Sequence, residues 1–231
     1  MPLPSPRARR RPRYGEWVAD LKSIRERLQK FDSVSLEPAE HQQAAVAVVL
    51  REGDSGSEIL FIERSTREDD PWSGHMAFPG GRVEAGDADT RAAAERETLE
   101  EVGVSLSGAD YLGHLADLQG SPKFRQNRLI VSAHVYSVTD PAPFVLDQRE
   151  VATALWFPVQ GLSDPERHVP YRTPAMREVD FPGLLVGEPD RHVVWGLTYR
   201  FVDIFMGAIE RPLPDRWDPS HEARWRQDRG K

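Results

Sequence analysis

The chain has no cysteine among its 231 residues, and long apolar runs are also missing. Disulfide bonds, thiolate nucleophiles and zinc–thiolate sites are therefore excluded. No run approaches the roughly 20 apolar residues that a membrane-spanning helix requires. The basic, proline-rich start MPLPSPRARRRPRYGEW has no apolar segment behind it, so we expect a disordered tail rather than a secretory signal. These absences are compatible with a cytoplasmic protein that has no membrane partner.

Positive charge is in deficit, with 30 Lys and Arg against 37 Asp and Glu and a formal net charge of −7. An acidic protein is a poor general binder of polyanions, which argues against nucleic acid as the partner. The arginines at the start leave a contact with nucleic acid or an anionic surface open as the alternative to a plain tail. If the substrate carries phosphates, a metal ion or a local arginine cluster must offset the repulsion.

The length suits one domain with additions, and no internal repeat is visible. We expect a basic tail and helix over 1–35, a central domain over 36–210 and a polar tail over 211–231. Apolar periodicity predicts helices over 16–31, 88–102, 161–167 and 197–210. Strands are predicted over 43–52, 58–65, 76–78, 111–118, 129–138 and 154–157, with a further β-rich section over 168–195. This pattern favours an α/β or α+β fold with a mixed sheet.

The helix over 88–102 carries the most distinctive chemistry. Asp87 or Asp89 is available as its N-cap, and Gly103 stands where a C-terminal glycine is expected. Glutamates at positions 97, 100 and 101 share one helical face, where like charges destabilise a helix unless a cation lies among them. One interpretation is an ordinary solvated face, neutralised by neighbouring arginines and water.

The glycine turn before this helix supports a second interpretation. Gly80 and Gly81 permit a close approach of the backbone, so a peptide oxygen can lie beside the carboxylates. An all-oxygen set of carboxylates and carbonyls suits Mg²⁺ or Mn²⁺. Such ions bridge to phosphate oxygens and activate water, which would also resolve the charge problem.

The stretch from Gly81 to Val104 resembles the signature of the Nudix hydrolases, G-x5-E-x7-R-E-U-x-E-E-x-G-U, where U is aliphatic. RETLEEVGV (96–104) matches its second half, and Gly81 matches its opening glycine. The resemblance implies an α/β/α sandwich with a central mixed β-sheet. Asp87 takes the place of the first glutamate, but eight residues rather than seven separate it from Arg96, and Thr98 replaces an aliphatic residue. The site residues that the resemblance implies are the metal ligands Glu97, Glu100, Glu101 and the Gly80 carbonyl, and Arg96 as the residue that orients the carboxylates.

Flanking segments resemble the coenzyme A pyrophosphatase branch of this family. FIERSTREDDPWSGHMAFPGG (61–81) resembles the segment before its signature, although Asp70 replaces the usual arginine. EVATALWFPV (150–159) and VWGLTYRFVDIF (194–205) extend the resemblance to about residues 40 to 210. It implies metal-dependent cleavage of coenzyme A or its thioesters to 3′,5′-ADP and phosphopantetheine derivatives, by a chain that could form a homodimer.

Two rival functions stay open at this stage. One is a Nudix hydrolase of nucleotide sugars, ADP-ribose or dinucleotides, with an unchanged metal site. The other is a Nudix-fold module that binds nucleotides without cleaving them. The acidic face of the 88–102 helix speaks against the second, because a sensor has no need of a metal cluster.

Other residues are candidates for proton transfer or substrate binding. Glu150 lies where a loop meets a strand and is a candidate general base, or else only a partner of Arg149. Glu97 or Glu100 could instead accept the proton. Trp195 and Phe201 are expected to pack in the core. The candidate substrate-binding residues are Arg64, His75, Arg82, Lys123 and Arg125, for which exposed loop positions or, for His75, a hydrogen bond to backbone are the alternatives.

Overall fold

The computed structural model describes residues 17–37, 42–67, 72–120, 129–173 and 180–214. Its main sheet has the strand order β3-β2-β1-β6-β5, with β4 paired to β1 and β7 paired to β2. The pair β1–β6 is parallel and the other pairs are antiparallel, so the predicted mixed sheet is confirmed. The seven strands are β1 (Gln42–Gly53), β2 (Gly56–Arg64), β3 (Met76–Ala77), β4 (Gly80–Arg82), β5 (Asp110–Gln119), β6 (Leu129–Val138) and β7 (Val151–Pro158).

Strand β1 changes its antiparallel partner halfway along. Its end forms the predicted hairpin with β2, from Leu50 opposite Ile59 to the tight turn after Gly53. Its beginning pairs instead with β4, where Val46 lies opposite Gly80. The glycine turn is therefore fixed to the centre of the sheet by backbone pairing.

Helices cover both faces of the sheet, which makes the fold an α/β/α sandwich as predicted. Because side chains alternate along a strand, β1 sends Val48 and Leu50 to one core and Ala47 and Val49 to the other. The first core is closed by helices α1 (Leu21–Leu28) and α3 (Gly196–Ala208), and the second by α2 (Thr90–Val102). Phe201 of α3 is buried in the first core, as predicted.

Helix α2 begins and ends at the predicted signals. Asp89 is its N-cap and accepts a hydrogen bond from Ala92 N at 2.8 Å. Gly103 ends it with φ 72°, a left-handed conformation that favours glycine. The other candidate cap, Asp87, binds Arg96 instead.

Two helix predictions need correction. The helix predicted over 16–31 spans only Leu21–Leu28, because extended Asp20 caps it and the Ala19 carbonyl accepts a hydrogen bond from Ser57 N. The helix predicted over 161–167 is two 3-10 turns, Val159–Ser163 and Pro165–Arg167. A proline has no N–H to donate, which prevents one continuous helix there.

The β-rich section beyond residue 167 forms a second, three-stranded antiparallel sheet. Its strands are β8 (His168–Tyr171), β9 (Phe181–Leu185) and β10 (Val193–Val194). Arg191 fixes it to the main sheet through two 2.8 Å hydrogen bonds to the buried carboxylate of Glu63 in β2. Trp195 is buried behind it, stacked on Tyr171 at 5.0 Å between ring centroids. In the described ranges, every helix is too short or too polar to span a bilayer.

A buried histidine joins the start of α2 to the sheet. The ring of His134 in β6 lies 3.0 Å from Thr90 Oγ1 through Nε2 and 3.1 Å from the Tyr111 hydroxyl through Nδ1. Burial, followed by the nearby charge of His114, lowers the pKa of His134 to about 4. His134 is therefore neutral in the folded protein at pH 7.

The pH dependence of stability follows from this histidine. In the unfolded chain its pKa is about 6.5, so the unfolded state takes up a proton first as the pH falls and stability is lost between the two values. We expect a loss of about 2 to 3 kcal/mol of unfolding free energy between pH 7 and pH 4.5 that His134→Gln does not show. Urea unfolding of both proteins at the two pH values measures it. Equal losses in both would contradict this assignment.

Candidate active site

Helix α2 presents two carboxylates to the glycine turn. The Glu101 side chain is only 2% exposed, and its Oε2 accepts a hydrogen bond from Gly80 N at 2.9 Å. The Glu97 carboxylate lies so close to Gly81 that a Cβ atom at that position would overlap it. At Gly80, where φ is 150°, a Cβ would overlap the carbonyl of Ala45. Gly80 is therefore required by the close approach of β4 to the backbone of β1, whereas a side chain at Gly81 would displace the Glu97 carboxylate.

A third carboxylate joins these two from a distant part of the chain. Glu150 lies at the end of the loop that precedes β7, and Glu97, Glu101 and Glu150 each offer an oxygen within 4.8 Å of the others. We call these three residues the carboxylate cluster. Its donor set is all oxygen, which fits the ligand preference of Mg²⁺ or Mn²⁺.

Arg96 contacts several acidic side chains at once, and the orienting role that the family signature implies for it stays a prediction. Its Nη1 donates to Glu97 Oε1 at 3.0 Å and to Glu100 Oε2 at 3.2 Å. Its Nε and Nη2 donate to the two oxygens of Asp87 at 3.0 and 2.9 Å. These hydrogen bonds lower the pKa of Asp87 to about 2. Asp87, whose role the sequence left open, thus holds Arg96 in place.

Glu100 differs from the other two helix glutamates. Its side chain is 60% exposed and its carboxylate pairs with Arg96 on the outer side of the helix. In the described residues the third member of the cluster is Glu150 instead. The assignment of Glu100 and of the Gly80 carbonyl as metal ligands stays a prediction.

The carboxylate cluster is incompletely neutralised by the described residues. Burial raises the pKa of Glu101 to about 8, although the Gly80 N–H and the charge of Arg64 act in the opposite direction. Burial also raises the pKa of Glu97, against the opposing effect of Arg96. Such shifts mean that an added positive charge would stabilise the ionised cluster, so the residues fit a divalent cation.

The candidate substrate-binding residues fall in three different settings. Arg64 ends β2, and its charge reaches Glu101. The His75 ring packs in an aromatic group, 5.0 Å from Trp195 and 5.9 Å from Trp72 between ring centroids. Arg82 is exposed, and its carbonyl accepts a hydrogen bond from Arg96 Nη2 at 3.1 Å. Lys123 and Arg125, like Asp70, lie outside the described residues.

One contact was not anticipated from the sequence. Arg67, which follows β2, donates from Nη2 to Glu150 Oε1 at 3.2 Å. No local pattern indicated it, because the two residues belong to separate loops. The one signal was their position, each within a segment that resembles the coenzyme A pyrophosphatase branch.

Comparison with known proteins identifies the family. Residues 41–179 match the NUDIX domain, which is more than half of the chain. An uncharacterized protein of Schizosaccharomyces pombe is 38% identical over 111 residues, which cover 47% of this chain and 34% of that protein. The uncharacterized Nudix hydrolase NudL of Shigella flexneri is 28% identical over 166 residues, covering 71% of this chain and 81% of NudL. The chain thus spans only about a third of the first relative.

Among solved structures, a Caenorhabditis elegans Ap4A hydrolase is 23% identical, covers 52% of this chain and 81% of that one, and has a TM-score of 0.43. The extent of the domain match is what carries the assignment, and it agrees with the glycine turn, the Arg96 ion pairs and the acidic face of α2 described above. The family that the signature predicted is therefore confirmed: the chain belongs to the NUDIX family.

Proposed function

We propose that this protein hydrolyses the pyrophosphate bond of a nucleoside diphosphate derivative, and that coenzyme A or its thioesters are the preferred substrates. The products would be 3′,5′-ADP and phosphopantetheine or its acyl form. The observation that carries the proposal is the convergence of Glu97, Glu101 and Glu150 beside the glycine turn of a NUDIX domain.

The carboxylate cluster would hold Mg²⁺ or Mn²⁺, with Glu100 and the Gly80 carbonyl as further candidate ligands. When bound, the cation would neutralise the carboxylates, coordinate phosphate oxygens and lower the pKa of a water molecule. Arg96 keeps Glu97 directed at the cluster, and Asp87 fixes Arg96 in turn.

The residues around the cluster can bind a phosphate group and accept a proton. Arg64 brings a guanidinium charge near Glu101, where it can pair with a phosphate oxygen. Glu150 is the most exposed member of the cluster, with a side chain 45% exposed, so it can reach a water at the surface of the site. A carboxylate in that position suits the role of general base.

The choice of coenzyme A rests on the branch resemblance and on where its segments lie. Gly74 N donates to the Arg64 carbonyl at 3.0 Å, which folds the loop after β2 back on itself. Ser65 N donates to the Glu150 carbonyl at 2.8 Å, which brings the two branch-like segments together. The loop that resembles the branch motif therefore adjoins the carboxylate cluster, where it can select the substrate.

A substrate panel tests the reaction and the substrate together. With Mg²⁺ or Mn²⁺ present, we expect release of 3′,5′-ADP from coenzyme A and its thioesters to be faster than hydrolysis of ADP-ribose, nucleotide sugars or diadenosine polyphosphates. Chromatography of the products measures it. Faster cleavage of another compound would overturn the coenzyme A choice alone, and binding without cleavage throughout would overturn the hydrolase assignment.

The cluster itself is tested by neutralising one member. Because a bound cation contributes several kcal/mol to the transition state, we expect Glu101→Gln to lower kcat by about a hundredfold or more. Mn²⁺ affinity, followed by electron paramagnetic resonance, should fall in the same variant. Glu84→Gln removes an exposed glutamate between β4 and α2 and serves as the control. Undiminished activity and Mn²⁺ affinity in Glu101→Gln would remove the cluster from the mechanism.

The glycine turn offers an independent test. A Cβ at Gly81 would overlap the Glu97 carboxylate, whereas a Cβ at Gly86 would meet no atom within 4 Å. Displacement of a catalytic group by about 1 Å can cost on the order of a hundredfold in rate. We expect Gly81→Ala to lose about that much activity while Gly86→Ala stays near wild type. Equal rates for the two variants in a steady-state assay would show that Glu97 does not depend on this approach.

A further inference from the structure

The segment that leaves β2 is bonded to the loop that carries Glu150. Ser65 donates through its backbone N to the Glu150 carbonyl at 2.8 Å and through Oγ to the Gln148 carbonyl at 2.9 Å. These bonds fix the backbone of the two segments relative to each other. They leave the side chain of Glu150 free to turn.

Arg67 completes this connection with its guanidinium. Its Nε and Nη2 both donate to the Arg149 carbonyl, at 2.9 and 2.7 Å, and Nη2 also donates to Glu150 Oε1 at 3.2 Å. One planar group therefore reaches both the backbone of the Glu150 loop and the Glu150 carboxylate. The fork of an arginine suits this double contact, whereas the single ammonium of a lysine does not.

Arg67 is itself held in position by a serine across its own loop. Its backbone N donates to Ser73 Oγ at 2.8 Å, and Ser73 Oγ donates back to the Arg67 carbonyl at 2.9 Å. The guanidinium thus starts from a fixed backbone. A side chain 47% exposed would otherwise sample several rotamers.

Glu150 needs such a partner because its surroundings are repulsive. It is brought next to Glu97 and Glu101, and its own side chain is 45% exposed. Like charges at this separation drive an exposed carboxylate toward solvent, away from the buried ones. The Arg67 guanidinium, 3.2 Å from Glu150 Oε1, offsets part of this repulsion and fixes the rotamer of Glu150.

We propose that Arg67 is a positioning residue that holds the Glu150 carboxylate in the cluster. The proposal rests on the hydrolase function proposed above and adds a residue to it. It also means that Arg67, which lies in the segment that resembles the coenzyme A branch, acts on catalysis through Glu150.

A double-mutant cycle tests the proposal. Removal of a residue that orients a metal-site carboxylate costs about tenfold to a hundredfold in activity. We expect Arg67→Ala to lower kcat by this factor and to leave KM within about twofold. In a Glu150→Gln background the same change should have almost no further effect, because there is no carboxylate left to position. An equal loss in both backgrounds, or a rise in KM alone, would overturn the proposal in favour of direct substrate contact or a structural role.

Arg149→Gln is the matched control. Arg149 lies in the same loop, but its guanidinium is 86% exposed and pairs with Asp147. We expect the activity of this variant to stay near that of wild type. If wild type and the control are both inactive on every substrate, the proposed function fails.

Positioning can also be measured without turnover. A crystal structure of Arg67→Ala should show the Glu150 carboxylate turned away from Glu97 and Glu101, with the loop backbone still bonded to Ser65. If the Glu150 carboxylate did not move in that structure, the positioning role would be wrong even if kcat had fallen as expected.

Discussion

The burial of the Glu101 carboxylate is the constraint on which the site depends. An ionised group in the interior is costly unless it is paired, and among the described residues Glu101 accepts a hydrogen bond from the uncharged Gly80 N–H. Arg96 forms ion pairs with both Glu97 and Asp87, so its positive charge is shared between two carboxylates and does not pair with Glu101. The charge of Arg64 reaches the buried Glu101, but burial still raises the pKa of this carboxyl to about 8. A divalent cation bridging to a phosphate would stabilise its ionised form, and for this reason the site fits a charged substrate inside an acidic protein.

The sheet determines how closely the glycine turn approaches this carboxylate. Strand β1 holds β4 by backbone pairing at Val46 and then turns to β2 for its second half. The change of partner lets β4 run beside α2, where a side chain at Gly81 would displace the Glu97 carboxylate. Because β1 also contributes to both hydrophobic cores, the position of the turn is tied to the most buried part of the molecule. The position of the glycine turn relative to Glu97 and Glu101 is thus well defined, because the turn belongs to a paired strand, β4, and not to a loop.

Local signals in the sequence were sufficient for the limits of α2 but not for every helix or for the whole site. The limits of α2 followed from Asp89 and Gly103, whose roles act within one helical turn. The cluster did not follow in the same way. Helical spacing grouped Glu100 with its neighbours, but the ion pair with Arg96 keeps it on the outer side and Glu150 arrives from another loop. The predicted start of α1 was wrong for a similar reason, because the Ala19 carbonyl accepts a hydrogen bond from Ser57 N, which is distant in the sequence.

The end of β2 contacts both the second sheet and the carboxylate cluster. Glu63 faces the second sheet, where the ion pair with Arg191 outweighs the effect of burial and holds the pKa of this carboxyl below its usual range. The next residue, Arg64, brings its charge to Glu101, and Arg67 reaches Glu150. Side chains alternate between faces along a strand, so consecutive residues can serve opposite sides of the sheet. Because all three contacts leave one short backbone segment, a shift at this strand end would be felt at the second sheet and at the carboxylates together. The end of β2 and the residues after it thus contact both the second sheet and the carboxylate cluster.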